Sequence, residues 1–227
     1  MNFKKLVLVV SVVFFAVTCI SAQQKTEVTV EEQYLSTIED VIIKEMSLSD
    51  VRDNKLVALQ YIEDALNANR ISPEIQEALN SLVGEGIMNP NRENGRLMNN
   101  YPDIRAKAAD LMAKIPTEDS KEMLTKIVLG DTEPMVITSA IRSLGIIGIN
   151  NNDDVVSTIA WTEKRFSALN PTSSLAFEVL NAYEKLLPYT KDRNAMIQSI
   201  SRIAANYQYV TPVRNRALEL LRDISVK

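Results

Sequence analysis

The chain has 227 residues, with 25 Lys and Arg against 29 Asp and Glu, one Cys and no His. A formal net charge of −4 argues against a duplex-binding surface, which needs clustered cations to displace phosphate counterions. The lone Cys sits at position 19, so the rest of the chain offers no disulfide, Cys nucleophile, Cys/His zinc site or His general base.

The first elements in chain order are those of an export signal. Lys4 and Lys5 precede an uncharged apolar run, Leu6 to Thr18, and Ala22 in "CISAQQ" is a small residue at a cleavage position. Residues 1–22 therefore read as a signal peptide that directs the chain to the periplasm or the exterior. The run is shorter than the roughly 20 residues that span a bilayer. Cys19 raises an alternative, lipidation and a membrane tether. The threonine before it fits that pattern poorly, and cleavage after Ala22 is favoured. Removing Lys4 and Lys5 from the 25 basic residues leaves 23 against 29 acidic ones, a net charge of about −6.

Beyond the signal the chain reads as all-α. Thr29 and Glu32 form a capping box, and Leu35, Ile38, Ile42 and Met46 recur on one helical face. This N-terminal helix, within residues 23–47, is expected to pack on a repeat domain covering 48–227. Prolines then punctuate the helices. Ser72-Pro73, Asn170-Pro171 and Thr211-Pro212 each place a capping side chain before a first-turn proline, and Pro116-Thr117 ends one helix and caps the next. No period-two alternation bounded by hairpin turns is evident. About ten helices of roughly 12 to 18 residues account for the sequence.

The helices repeat. Ile104, Ala108, Met112 and Ile115 share their spacing with Val136, Ala140, Leu144 and Ile147. Ala58 with Ile62, Ala176 with Leu180, and Ala217 with Leu221 fit the same frame. A small residue lets a neighbouring helix approach, and the large one four positions on fills the space beside it. Second helices lie between, with Ile75, Leu79 and Leu82; Leu124 and Ile127; Val155, Ile159 and Phe166; and Met196, Ile200 and Ile203 on their faces. The unit is helix, turn, helix, recurring four times and ending in a half-unit from Thr211.

The stretches "YPDIRAKAADLMAKI", "EPMVITSAIRSLGII" and "TPVRNRALELLRDI" resemble the first helix of HEAT repeats and the armadillo-like family. That resemblance covers roughly Leu48 to Lys227. It implies an α-solenoid, a right-handed superhelix of about four helix pairs plus the terminal half-repeat, and a scaffold or adaptor function without catalysis. Ile137 and Ser173 stand where the repeat usually carries an early Arg, so any Arg ladder is incomplete.

No Gly-rich phosphate loop, nucleophile elbow or metal-spaced cluster is present, so no catalytic, cofactor-binding or metal residue is assigned. The acidic pairs Glu31-Glu32 and Asp153-Asp154 fall at helix N-termini, where carboxylates favour the dipole. Candidate partner-binding residues come from two places. The long connection "GEGIMNPNRENGRLMNNYP" stretches one repeat step to 50 residues and contributes Arg92, Arg96, Asn99, Asn100 and Tyr101. The alternative is a surface insertion packed back through Ile87, Met88 and Met98. Trp161, opposite the apolar face of its helix with Arg165 one turn on, is the second candidate. Its alternative is burial against the next repeat. Tyr189, Tyr207 and Tyr209 form a third set near inter-helix turns. The expected partner is a protein or peptide. A tethered assembly factor and an accessory subunit of an envelope enzyme stay open.

Overall fold

The computed structural model describes residues 29–226; the signal-peptide region and Cys19 lie outside them. Among the described residues, 29–38 and 39–226 fall in two separate units. Ten α-helices occur among the described residues: α1 (Val30–Leu48), α2 (Arg52–Asn67), α3 (Pro73–Val83), α4 (Pro102–Met112), α5 (Glu118–Gly130), α6 (Pro134–Ile147), α7 (Asp154–Leu169), α8 (Ser173–Leu186), α9 (Asn194–Ala205) and α10 (Thr211–Val226). Two short strands, β1 (Arg92–Glu93) and β2 (Arg96–Leu97), interrupt the α3–α4 connection.

Local chemistry sets most of the helix starts. Thr29 and Glu32 exchange backbone-to-side-chain hydrogen bonds of 3.0 and 3.2 Å, a closed capping box. Ser72 Oγ accepts from Ile75 N ahead of Pro73, and Thr117 Oγ1 accepts from Ser120 N. Two expected starts are displaced. Asn170 instead closes α7, its N–H bonding Phe166 O at 2.9 Å, and α8 begins at Ser173. Thr211 already lies within α10 rather than before it.

Within residues 39–227, the helices from α2 onward contact the next but one. The series α2, α4, α6, α8, α10 packs in order, and so does α3, α5, α7, α9. The more extensive contacts between sequence neighbours join α3 to α4, α5 to α6, α7 to α8 and α9 to α10, one helix out of phase with the unit read from the sequence. The frame alanines explain the close approach. Ala58, Ala108, Ala140 and Ala217 are wholly buried and Ala176 nearly so. At the α6–α8 joint a glycine is needed too. A Cβ on Gly145 would stand 2.8 Å from Ala182 Cα.

Every joint also carries a polar tie. Along the first series these are Glu63–Lys107 (2.6 Å), Asp110–Arg142 (3.0 Å), Arg142–Glu178 (3.1 Å) and Glu184–Arg216. Along the second they are Gln76–Ser120 (3.3 Å), Lys121–Asp154 (2.8 Å) and Glu163–Arg202 (2.7 Å). Glu163 is the deepest of these acids. Burial raises its pKa against the opposing pull of Arg202 and Ser199.

The apolar face assigned to α1 is corrected. Leu35, Ile38 and Ile42 are exposed and Met46 is half-buried, whereas Asp40, Ile43 and Ser47 are buried. Arg70 binds the Asp40 carboxylate, and Lys55 binds the Ser47 carbonyl at 2.9 Å, so polar partners fix which side turns inward.

Two glycine substitutions are expected to differ in sign. Gly145→Ala should lower the melting temperature, because overpacking of about 1–3 kcal/mol exceeds the roughly 1 kcal/mol gained in helix propensity. Gly130→Ala should leave it unchanged or raise it, since its Cβ would meet only Ile87 Cγ2 at an ordinary 3.6 Å. Thermal unfolding by circular dichroism separates the two; equal shifts would contradict the close α6–α8 packing.

Candidate interaction surface at the end of helix α5

The long connection is a folded loop. Gly86 has φ of +72°, and a Cβ there would lie 2.4 Å from Asn99 O, so the loop closes over a residue without a side chain. Asn94 and Gly95 both take positive φ and join β1 to β2 as a two-residue turn of the type that Asn-Gly favours. Asn99 fastens the two ends. Its Nδ2 donates to Glu85 Oε1 and Asn89 O, each at 2.8 Å, and its Oδ1 accepts from Asn91 N at 2.8 Å.

Beneath the loop lies a buried ionic network. Lys55 Nζ donates to Glu85 Oε2 at 2.8 Å. Arg105, 1% exposed, donates through Nε and Nη2 to the two oxygens of Asp131, at 2.7 and 3.3 Å. Its Nη1 donates to Asn100 Oδ1 (3.0 Å) and Glu85 O (3.2 Å). Asp131 Oδ1 also accepts from Thr132 N and Glu133 N, at 2.7 and 2.9 Å, turning the chain from α5 into α6. A planar guanidinium on a carboxylate satisfies both charges at once, which a buried pair requires.

Asp131 reaches α7 as well. Its backbone oxygen accepts from Arg165 Nη2 at 3.0 Å, and Leu129 O accepts from Arg165 Nη1 at 3.0 Å. A guanidinium at the carbonyl end of α5 is favoured by the helix dipole. Burial lowers the pKa of Arg165, and the charge of Asp131 opposes that shift. The same guanidinium lies 4.9 Å from the Trp161 ring centroid and 4.8 Å from that of Phe166. Phe166 is buried, while Trp161 is 51% exposed. Loop residue Ile87 meets the last turn of α5 at Gly130.

The seven sequence candidates thus separate into roles. Asn99 and Asn100 are spent on the loop and on Arg105. Tyr101 is half-buried, with Arg52 5.9 Å from its ring. Arg92 and Arg96 are exposed on the hairpin, and Arg165 orients Trp161. Of the residues through which the alternative packs the loop back, Ile87 is half-buried and Met88 and Met98 are exposed, and the polar bonds of Asn99 and Arg105 also hold the loop. Of the three tyrosines near inter-helix turns, Tyr209 is buried and Tyr189 and Tyr207 are exposed. Burial pushes the Tyr209 hydroxyl up to about 12. Sequence reasoning passed over Lys55, Glu85 and Asp131, and treated Arg105 as a repeat position. It also missed the hairpin, although Asn94-Gly95 is a direct signal for one.

An open cleft of about 600 Å³ beside the loop is lined by Lys55, Glu85, Met88, Asn89, Asn91 and Asn99, among others. Among the described residues no group of three or more His, Cys, Asp and Glu could hold a metal ion, and no helix is long and apolar enough to cross a membrane. Comparison with protein-family models, curated proteins and solved structures finds no match.

Arg105→Met should cost about 3–5 kcal/mol in denaturant unfolding, because Asp131 is left buried without its counter-charge. Adding Asp131→Asn should restore part of that loss. A double variant whose loss equals the sum of the two single losses would contradict the pairing.

Proposed function

We propose that the chain is an exported, non-catalytic adaptor whose HEAT-like helix pairs present one surface to a protein or peptide partner. The surface comprises the α3–α4 loop, the last turn of α5 and Trp161. Support for stacking comes from the two interleaved series of helix contacts and the buried alanines that recur with them. Support for export comes from Lys4, Lys5, the apolar run and Ala22.

The observation that carries the assignment is Trp161. It is a large aromatic side chain, half-exposed, and its ring is stacked on a guanidinium that is itself fixed by backbone carbonyls. An aromatic held in one orientation loses little entropy on binding, and such residues dominate the energetics of interfaces. The α5 end also gathers groups from four parts of the chain: the loop, α4, the α5–α6 turn and α7.

Trp161→Ala should weaken retention of the partner by about 2 kcal/mol, roughly thirtyfold. It should cost folding stability only about 1 kcal/mol or less, the scale of one exposed cation–π contact. Parallel capture from an envelope fraction by the wild-type and variant chains, with melting curves for both, measures the two effects. Equal retention by both chains, or turnover of a small molecule by the wild type, would overturn the adaptor assignment.

A further inference from the structure

Four carboxylates are buried among the described residues: Asp40, Glu85, Asp131 and Glu163. Asp131 uses both oxygens on the Arg105 fork, and Glu85 divides its two between Lys55 and Asn99. Glu163 is built differently. Its Oε2 takes three donors: Ser199 Oγ at 3.0 Å, Arg202 Nε at 3.0 Å and Arg202 Nη2 at 2.7 Å. Its Oε1 is sealed from solvent and accepts from no group among the described residues. A one-sided pair of this kind leaves half of a delocalised charge without a partner in a dry interior, which is costly.

The surroundings offer little else against that charge. Arg202 and Ser199 come from α9, the wholly buried Tyr183 from α8, and Tyr209 from the α9–α10 turn. Tyr183 Oη is likewise sealed and without a hydrogen-bond partner. Burial first, and the Glu163 charge with it, makes both phenols harder to ionise, so both lie in the field of the carboxylate. Arg165, further along α7, is turned to the α5 carbonyls, and Lys121 of α5 pairs with Asp154 at the start of α7. Arg202 is therefore the cation that faces Glu163, and its side chain keeps 34% of its surface in solvent. The guanidinium can be rehydrated where it stands; the carboxylate cannot.

We propose that Glu163 is a proton-uptake site of the folded chain, through which pH sets the joint between α7 and α9. On acidification Oε1 takes a proton from solvent and the charge inside the joint disappears. Arg202 is left with the Ala160 carbonyl, which it already bonds at 3.3 Å, and with the water it already meets. Burial outweighs Arg202 and Ser199 and raises the Glu163 pKa. The stability this site contributes is therefore full below the ordinary carboxylate value and is lost as pH rises through the raised one. The joint is firmer in acid, the reverse of a carboxylate that its arginine holds ionised.

Melting curves of the full chain and of Glu163→Gln, which imitates the protonated form, test this across pH. Every other titrating group is common to both chains, so the difference between them isolates Glu163. From about pH 7.5 down to about pH 4, the wild type should gain about 3 °C or more on the variant. A constant difference would overturn the proposal. So would a wild type that loses ground in acid, the result expected if Arg202 prevailed over burial. Carbon-13 NMR of the glutamate carboxyl groups, assigned through their backbone correlations, reads the site in the wild type alone. Glu163 should titrate with a midpoint above the ordinary value of 4.5. A midpoint at or below that value would contradict proton uptake by the folded chain, whatever the stability of the variant.

Discussion

The buried pair between Arg105 and Asp131 is the interaction on which the surface depends. Its arginine comes from the first turn of α4 and its aspartate from the turn that follows α5. Around it the α3–α4 loop, the α5–α6 turn and α7 meet. The loop is reached through Asn100 and Glu85 O, the turn through Thr132 N and Glu133 N, and α7 through Arg165 on the Asp131 carbonyl. A guanidinium can do this because its donors form a rigid fork that serves several acceptors at once; an ammonium cannot reproduce that geometry. The pair need not add net stability over an apolar core to matter. Separating its partners would leave either charge buried without its counter-charge, which is strongly unfavourable.

That arrangement links two features that lie far apart in the chain. The loop lies between α3 and α4, and Trp161 belongs to α7. Arg165 bonds the carbonyls at the end of α5, and a Cβ placed on Gly130 there would stand 3.6 Å from Ile87 Cγ2 of the loop. Arg165 has two roles that support one another. It satisfies the helix end, and its remaining flat face lies against Trp161. The aromatic is half-exposed, with the guanidinium 4.9 Å from its ring centroid.

Much of the packing was legible in the sequence. Ala108, Ala140 and Ala217, picked out by their spacing, are wholly buried along the first series of helices. The face of α1 was not legible. Leu35, Ile38 and Ile42 have helical spacing, yet burial follows Asp40 and Ser47, whose partners Arg70 and Lys55 come from later in the chain. Periodicity reports how apolar a face is and says nothing of which face meets a partner. The same limit hid the site. Arg105 and Asp131 are 26 residues apart, and only the fold makes them neighbours. The loop was marked by its length and composition, but Asn99 and Asn100 were read as ligand groups when their amides hold the loop itself.

The central claim is that the Arg105–Asp131 pair sets the orientation of Trp161, which it does not touch. Arg105→Lys keeps the charge and loses the fork, and the emission spectrum of the single tryptophan reads the consequence directly. With far-UV circular dichroism unchanged, the emission maximum should move to longer wavelength, as Arg165 loses its fixed carbonyls and the indole gains solvent. An emission spectrum identical to that of the wild type would contradict the coupling.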